Sequence, residues 1–172
     1  MIKIWLGNLG KYNEGELIGE WVELPCYDWD EVKQNIGINA EYEEYYIGDY
    51  EVDFLTLKIS EYENLDKLDE LAELLENLAD DELNNLIEIC KVENLNIDNL
   101  IETLENKLSN WKVIQDIADE SDLGYYMVND MELYDLESMG HLANYIDYEA
   151  LGNDINLERG GTFTGSAWVC RN

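Results

Sequence analysis

A glycine-punctuated stretch near the start of the chain has the composition of a phosphate-binding loop but the wrong charge. GNLGKYNEGELIGEW (residues 7–21) contains four glycines and one lysine together with Glu14, Glu16 and Glu20. A phosphate cradle needs free backbone N–H groups and positive charge, and the charged side chains here are mostly negative. The stretch matches neither the GxxxxGK pattern nor GxGxxG, so the sequence lacks these nucleotide-binding fingerprints.

Side chains used in catalysis are present, but without the spacing that catalysis requires. His141 is the only histidine and has no HExxH partner, and Ser166 in TGSAWVC lacks the second glycine of a nucleophile elbow. With 40 Asp and Glu residues, carboxylate pairs at catalytic spacing arise by chance. We therefore predict that the protein is not an enzyme and needs no cofactor.

Calcium binding is the best metal hypothesis, because oxygen ligands are plentiful. In DINLERGG, Asp154, Asn156 and Glu158 alternate as in a calcium loop. However, Arg159 replaces the required glycine, and Gly165 stands where an EF-hand has its last glutamate. The sequence predicts no dedicated metal site, although weak and diffuse divalent binding is compatible with it.

The three cysteines and the hydropathy indicate a cytoplasmic protein. Cys26, Cys90 and Cys170 are odd in number and far apart, which favours reduced, buried thiols over disulfides or zinc. No run of 18 apolar residues is present, which argues against a membrane span. MIKIWLGNL has no basic region or cleavage site, so we expect no secretory signal.

Negative charge covers the whole chain rather than one tail. The 40 acidic and 10 basic residues give a net charge of −30, divided as −9, −12 and −9 over residues 1–60, 61–108 and 109–172. Like charges repel in a compact body, so we expect an elongated shape. Because nucleic-acid binding depends on Lys and Arg, we expect no direct nucleic-acid binding and a basic protein partner.

The first sixty residues have the pattern of a small sheet with one helix. MIKIWLGNL and ELIGEWVEL alternate as two strands around a Gly10–Gly15 turn, with Ile2, Ile4 and Leu6 on one face. Asp28 and Glu31 form a start signal for a helix over DWDEVKQNI that stops at Gly37. EYEEYYIGDYEVDF (residues 41–54) predicts a third strand with a bend at Gly48.

Leucine and isoleucine then recur at helical spacing, and glycine disappears. Three short amphipathic helices are predicted, with possible N-caps at Asp80-Asp81 and within Asn96–Asp98. Their apolar stripes are Leu65, Leu68, Leu71 and Leu75; Leu83, Leu86, Ile87 and Cys90; and Leu100, Ile101, Leu104 and Leu108.

Aromatic residues and glycines return after Asn110. WKVIQDIA fits a strand or a helix, YYMVNDMELYDL is ambiguous, and HLANYIDYEAL predicts a short helix closed by Gly152. GGTFTGSAWVC predicts a strand with Gly160-Gly161 as its turn. The fold class is thus α+β in an elongated multi-domain chain, with a sheet-and-helix domain (1–61), an acidic helical domain (62–108) and a C-terminal α+β domain (109–172).

Two long segments resemble the ArdA antirestriction family. NLGKYNEGELIGEW with EYEEYYIGDYE is similar to that family's N-terminal domain, and NYIDYEALGND followed by GTF is similar to its C-terminal segment. Across the middle the resemblance rests only on acidic helical character. The resemblance implies an elongated three-domain protein that dimerises through its C-terminal domain.

The resemblance also implies a function. Members of the family mimic bent B-form DNA and inhibit type I restriction–modification enzymes by occupying the DNA groove of the specificity and modification subunits. They are typically encoded on mobile genetic elements.

The net charge of the chain can be compared with that of DNA. Duplex DNA carries one negative charge per about 1.7 Å of its axis, so 30 charges correspond to about 50 Å of duplex, and a dimer's 60 to about 100 Å.

The candidate partner-binding residues are therefore a distributed set of acids, together with two tyrosines as candidate dimer contacts. The tyrosines, whose alternative role is helix packing, are Tyr145 and Tyr148. The acids are Glu14, Glu16, Glu20, Asp28, Glu31, Glu41, Glu43, Glu44, Asp49, Glu51, Glu70, Glu73, Asp80, Asp81, Glu102, Glu105, Glu149 and Asp154.

Two other interpretations stay open at this point. The protein could be a generic acidic inhibitor or adaptor of another basic protein, such as a nucleoid protein or a nuclease. It could also be an enzyme from a high-salt organism, whose acids serve only solubility. The 18 asparagines and the abundant isoleucine indicate an AT-rich genome instead.

Overall fold

Helices and two small antiparallel sheets occur together in the computed structural model, which describes residues 1–53 and 57–172. This confirms the predicted α+β class. Backbone contacts group residues 1–83 with 94–107 as a first unit, and residues 84–93 with 108–172 as a second. The finer division at residues 61 and 108 stays a prediction. None of the described helices is long and apolar enough to cross a membrane.

The first unit combines a three-stranded sheet of order β2-β1-β3 with helices. Its elements are β1 (Ile2–Asn8), α1 (Leu9–Asn13), β2 (Gly19–Leu24), α2 (Trp29–Asn35), β3 (Tyr45–Val52), α3 (Leu65–Glu76) and α5 (Ile97–Glu105). A further helix, α4 (Asp80–Val92), begins in this unit and continues in the second.

The alternation predicted for β1 is confirmed, since Ile2, Ile4 and Leu6 are all buried. The predicted Gly10–Gly15 turn is wrong in form, because α1 occupies much of it and β2 begins at Gly19 rather than Glu16. Asn8 explains the difference. Its side chain accepts a hydrogen bond from the Lys11 N–H (2.9 Å), which caps α1, and donates one to the Ile36 carbonyl (3.1 Å).

The next two elements follow their sequence signals closely. The Asp28 carboxylate accepts from the Glu31 N–H (2.9 Å) and starts α2, and Gly37 follows the helix with a positive φ of 78°. In β3, Gly48 is the extra residue of a bulge, because Trp5 pairs with Asp49 whereas Leu6 pairs with Ile47. The strand begins at Tyr45 rather than Glu41. Phe54, where the sequence placed its end, lies outside the described residues.

All three central helices are confirmed, but the third is shorter than predicted, because α5 ends at Glu105 and Leu108 lies beyond it with a positive φ of 56°. Leu68, Leu71, Leu100 and Leu104 are buried where α3 and α5 pack together. Asn64 and Asn96 cap these two helices.

The N-cap prediction for Asp80 and Asp81 is wrong, because both lie inside the first turn of α4. There the Glu82 carboxylate accepts from the Ala79 N–H (3.1 Å). The Asp80 and Asp81 carboxylates still lie at the positive end of the helix dipole, where negative charge is favourable.

The second unit has a sheet of order β4-β6-β5 covered by helices. Its elements are β4 (Trp111–Gln115), α6 (Glu120–Asn129), α7 (Leu136–Met139), a 3-10 helix (Gly140–Tyr145), α8 (Tyr148–Arg159), β5 (Thr162–Phe163) and β6 (Ala167–Arg171). The ambiguous WKVIQDIA segment thus contains a strand. Trp168 is completely buried in a core that includes Ile114, Leu123 and Ile155.

The helix predicted to close at Gly152 runs on to Arg159, and its first part is a separate 3-10 helix. Gly152 serves a helix crossing instead. A Cβ on Gly152 would lie 1.7 Å from the Glu120 carbonyl oxygen on α6, and one on Gly124 would lie 2.0 Å from that of Tyr148. Helix α8 ends at Gly160, whose φ of 64° is left-handed, so this glycine is a helix cap rather than a hairpin turn.

Glu88 is a buried acid with three partners, all in the second unit. Its carboxylate accepts from Lys91 Nζ (2.7 Å), Ser166 Oγ (2.9 Å) and Thr164 Oγ1 (2.5 Å). Burial by itself raises the pKa of a carboxyl, but these three hydrogen bonds outweigh it and hold the Glu88 pKa below its ordinary value. Glu88 therefore joins α4 to the turn between β5 and β6.

The helix crossing predicts a severe effect for one added methyl group. Gly152→Ala places its Cβ far closer to the Glu120 backbone on α6 than van der Waals contact allows. The backbone of a helix cannot move aside as a flexible side chain can. We expect the free energy of unfolding, measured by urea titration, to fall by about 3 kcal/mol or more. Asn153→Ala, at the next and exposed position, is the matched control and should change it by less than about 0.5 kcal/mol. Equal stability of the two variants would contradict the crossing.

Glu88 predicts a pH-dependent contribution to stability. Because its folded pKa is depressed, the stabilisation is present above the ordinary carboxyl pKa of 4.5 and is lost as the pH falls through the folded value. Glu88→Gln should lower the free energy of unfolding by about 2 kcal/mol at pH 7, and the difference from wild type should shrink below pH 4.5. The exposed Glu158→Gln is the control. A difference that does not depend on pH would rule out the charged form as the stabilising species.

Candidate partner-binding surface

The predicted acids project into water from many elements rather than gathering in a cleft. All of them are exposed except Glu20, which is half-buried on β2. Only Glu149 and Asp154 belong to the second unit, both on α8. In the first unit, Glu14 and Glu16 follow α1, Asp28 and Glu31 begin α2, Glu41, Glu43 and Glu44 precede β3, Asp49 and Glu51 lie on β3, Glu70 and Glu73 on α3, Asp80 and Asp81 on α4, and Glu102 and Glu105 on α5.

Lys11 partly neutralises one group of these acids. Its Nζ lies 3.1 Å from Glu14 Oε2 and 3.8 Å from Glu16 Oε2, and 4.3 Å from the centre of the Tyr42 ring. The Tyr42 hydroxyl donates to Glu14 (3.0 Å). Hydrogen bonds from Lys11 and then Tyr42 lower the Glu14 pKa, and those with Tyr42 and Glu14 raise the Lys11 pKa. Glu14 and Glu16 are therefore less available to a partner than the other candidates.

The other candidate acids have no Lys, Arg or chain terminus within 4.0 Å among residues 1–53 and 57–172. The other ion pairs in the described residues all use acids outside the candidate set. Lys3 pairs with Glu23, Lys67 with Asp98, Lys91 with Glu88, Arg171 with Glu93, and the N-terminus with Asp53. An incoming positive group would thus meet acidic side chains that have no internal cation beside them.

Asp69 has a structural role that the sequence did not reveal. It is half-buried on α3, and its two carboxylate oxygens accept from the Cys26 N–H (2.8 Å) and the Trp29 indole N–H (2.5 Å). This carboxylate holds the start of α2 against α3. The neighbouring Glu70 is exposed. Helical spacing alone does not distinguish these two acids, because the partners of Asp69 are 40 and 43 residues away.

Sequence reasoning also missed exposed acids, above all in the second unit. The pattern of YYMVNDMELYDL is ambiguous and did not predict that the chain after α6 is largely exposed. The additional exposed acids of the second unit are Asp116, Asp122, Asp130, Glu132, Glu137 and Glu158. Asp119, Asp135 and Asp147 are exposed as well but serve as helix caps.

The two candidate tyrosines occupy different environments. Tyr145 is 83% exposed at the end of the 3-10 helix, close in sequence to the exposed Leu142. Tyr148 is half-buried, with its ring centre 5.4 Å from that of Tyr125 on α6. Tyr145 is therefore free to contact a partner, whereas much of Tyr148 packs within its own unit. A role in dimerisation stays a prediction for both.

In the described part of the chain, no cluster of three His, Cys, Asp or Glu side chains has the geometry to hold a metal ion. DINLERGG lies in and just after α8 rather than in a loop, and Asn156 Oδ1 accepts from the Trp168 indole N–H (2.7 Å). The three cysteines are free, with Cys170 buried and Cys26 and Cys90 half-buried. Burial raises the pKa of the Cys90 thiol to about 11, so it is protonated at neutral pH.

Comparison with protein families decides the relationship that the two segments suggested. The antirestriction protein (ArdA) family model matches residues 4–170, nearly the whole chain. The chain belongs to the ArdA antirestriction family. The match includes the central helices, where the resemblance rested only on acidic character. Membership gives the protein an antirestriction function directed at restriction enzymes. No curated protein matches the chain.

Two adjacent acids on α3, Asp69 and Glu70, are predicted to contribute very different amounts to the free energy of unfolding. Asp69→Asn replaces one accepting oxygen by an NH₂ group, so the Cys26 N–H or the Trp29 indole N–H loses its acceptor. We expect the free energy of unfolding to fall by about 1–3 kcal/mol. Glu70→Gln, which removes the same charge one residue away, should change it by less than about 0.5 kcal/mol. Urea titration measures both, and equal losses would contradict the structural role of Asp69.

Proposed function

We propose that the protein is a DNA mimic that inhibits type I restriction–modification enzymes by occupying their DNA-binding groove. The specificity and modification subunits are its partner in this proposal, and no catalysis is involved. One observation carries the proposal: nearly all candidate acids are exposed, and most have no internal cation beside them. Family membership supplies the target class, restriction enzymes. The narrowing to type I enzymes follows the family resemblance of the two segments and is part of the proposal.

The charge makes the mechanism physically reasonable. A groove that binds DNA presents Lys and Arg side chains that neutralise phosphates. Exposed side chains such as Glu43 and Glu44 can accept the same charge-assisted hydrogen bonds. Each exposed contact contributes little and is screened by salt, so affinity has to come from many acids acting together. Complementary charge also accelerates encounter between the two proteins.

The biological setting is proposed on the same basis. The protein acts as a homodimer in the cytoplasm of a cell that receives a mobile genetic element. Exposed Tyr145, with Tyr148, contributes to the dimer contact. Dimerisation would double the number of carboxylates that one inhibitor presents.

A generic acidic inhibitor of another basic DNA-binding protein is the second candidate. The same exposed acids favour it, because their chemistry does not encode one partner. Displacement of labelled DNA from a type I methyltransferase separates the two. The proposal predicts displacement at near-stoichiometric amounts of inhibitor. Absence of displacement at low salt, together with displacement of DNA from an unrelated basic protein, would favour the generic inhibitor.

Distributed recognition predicts that charges matter by number rather than by identity. Glu44→Gln alone should weaken inhibition less than about three-fold, because one exposed contact typically contributes about 0.5 kcal/mol. The triple variant Glu41→Gln, Glu43→Gln, Glu44→Gln should weaken it by about ten-fold. DNA-displacement titrations with each variant measure these losses.

The chain offers a matched control for this series. Glu43→Gln, Glu44→Gln removes two carboxylates without a cation beside them, whereas Glu14→Gln, Glu16→Gln removes two that share Lys11. The first pair should weaken inhibition more than the second. Complete loss of binding in Glu44→Gln alone would contradict a distributed surface.

A further inference from the structure

The outer face of the first sheet carries a group of aromatic side chains that the acidic surface does not explain. Trp5 on β1 pairs with Trp21 on β2 and with Asp49 on β3, so the three side chains share one face. Ile4 and Leu6, on either side of Trp5, point into the core. Trp5 and its neighbours therefore lie on the side of the sheet opposite the core.

Three glycines, one on each strand, let the Trp5 indole lie close to the sheet. A Cβ on Gly7, Gly19 or Gly48 would come within 2.5, 2.4 or 2.7 Å of indole carbons. Glycine weakens a strand, and inside a strand it often marks a close approach of another group to the backbone. Here that group is an aromatic ring, which covers the exposed backbone.

Other rings extend this platform into a shallow cup. The Tyr46 ring meets Trp5 edge-on at 5.8 Å between centres, and the Tyr12 ring lies 5.3 Å from Tyr46. Trp21 and Leu17 also line it and are 47% and 72% exposed. We call this open cavity, with a volume of about 670 Å³, the aromatic cup.

The rim of the aromatic cup is acidic. Asp49 and Glu61 line it, and none of the lining residues among those the structure describes is a Lys or Arg. Lys11, on the nearby helix α1, is engaged by Glu14, Glu16 and Tyr42. Aromatic faces with carboxylates beside them attract a cation that can also stack.

Among protein side chains, arginine fits this chemistry best. Its guanidinium is planar, weakly hydrated, permanently charged and able to stack on aromatic rings while it donates to carboxylates. A lysine ammonium is more strongly hydrated and cannot stack, and a nucleotide would bring phosphates to an acidic rim. Charge complementarity thus selects a cationic occupant, and ring geometry selects a planar one.

We propose that the aromatic cup binds the guanidinium group of an arginine side chain presented by the partner protein. The proposal deepens the proposed function and depends on it only for the identity of the partner. The phosphate backbone of DNA has no aromatic counterpart to the cup. Because the arginine contact is partly apolar, its affinity would be less sensitive to salt than that of the carboxylate contacts around it.

Titration with N-acetyl-arginine amide tests the site on the intact protein without any partner. At constant ionic strength, the indole N–H resonances of Trp5 and Trp21 should shift and saturate, with a Kd on the order of 10 mM. Those of Trp111 and Trp168, in the second unit, should not. N-acetyl-lysine amide should give shifts several-fold weaker. Equal, unsaturated shifts at all indoles would overturn the proposal.

Variants separate the aromatic cup from the general negative charge. Trp21→Ala should abolish saturation at Trp5, and Asp49→Asn with Glu61→Gln should weaken arginine-amide binding by about five-fold. The control pair Glu70→Gln, Glu73→Gln removes the same charge from α3 and should have no effect. Equal effects of the two acid pairs would mean that arginine amide senses only net charge, which also overturns the proposal.

DNA displacement from the type I methyltransferase distinguishes this proposal from the proposed function. Trp21→Ala should weaken displacement more at high salt than at low salt. If wild type displaces DNA and Trp21→Ala does so equally well at every salt concentration, the mimic stands and the aromatic cup as partner contact fails. If wild type binds arginine amide but displaces no DNA, the cup stands as an arginine site and the type I target fails.

Discussion

Mutual repulsion among the carboxylates is the constraint under which this fold is built. With 40 acids and 10 bases, each element has to leave its acids in water while it buries enough apolar surface to stay folded. Helix α3 does so by burying Leu68 and Leu71 and exposing Glu70 and Glu73. Where an acid is buried, as Glu88 is, three hydrogen-bond donors surround it. The carboxylates left exposed are consequently available to a basic partner.

Local signals predicted much of this fold, and long-range contacts account for what they missed. The alternation of β1, the Asp28 cap, the Gly48 bulge and the three central helices all depend on residues a few positions apart. The sequence predicts a helix end at Gly152, whereas this glycine is needed for the crossing with Gly124 on another helix. The aromatic cup has no local sequence signal either, since Gly7, Gly19 and Gly48 accommodate Trp5 only once three strands have paired. Exposure of the acids followed from composition, but the structural role of Asp69 did not.

Two kinds of contact emerge, and they respond differently to salt. The exposed carboxylates are many, individually weak and screened by ions, which suits them to stand in for phosphates. The proposed arginine contact at Trp5 and Trp21 is single and partly apolar, so it would persist when the charges are screened. The exposed carboxylates accelerate encounter with basic partners and allow more than one of them, whereas the single arginine contact fixes the position at which the two proteins bind. Together they would let an acidic protein compete with DNA without copying its bases.

Competitive binding is the central claim, and its most direct test is the dependence of inhibitor affinity on DNA concentration. The apparent Kd between the protein and a type I methyltransferase is measured while the concentration of a DNA duplex carrying the recognition site is raised. If carboxylates occupy the DNA groove, the apparent Kd rises in proportion to DNA concentration without limit. A plateau, or no change, would show that DNA and protein bind together and would contradict the account.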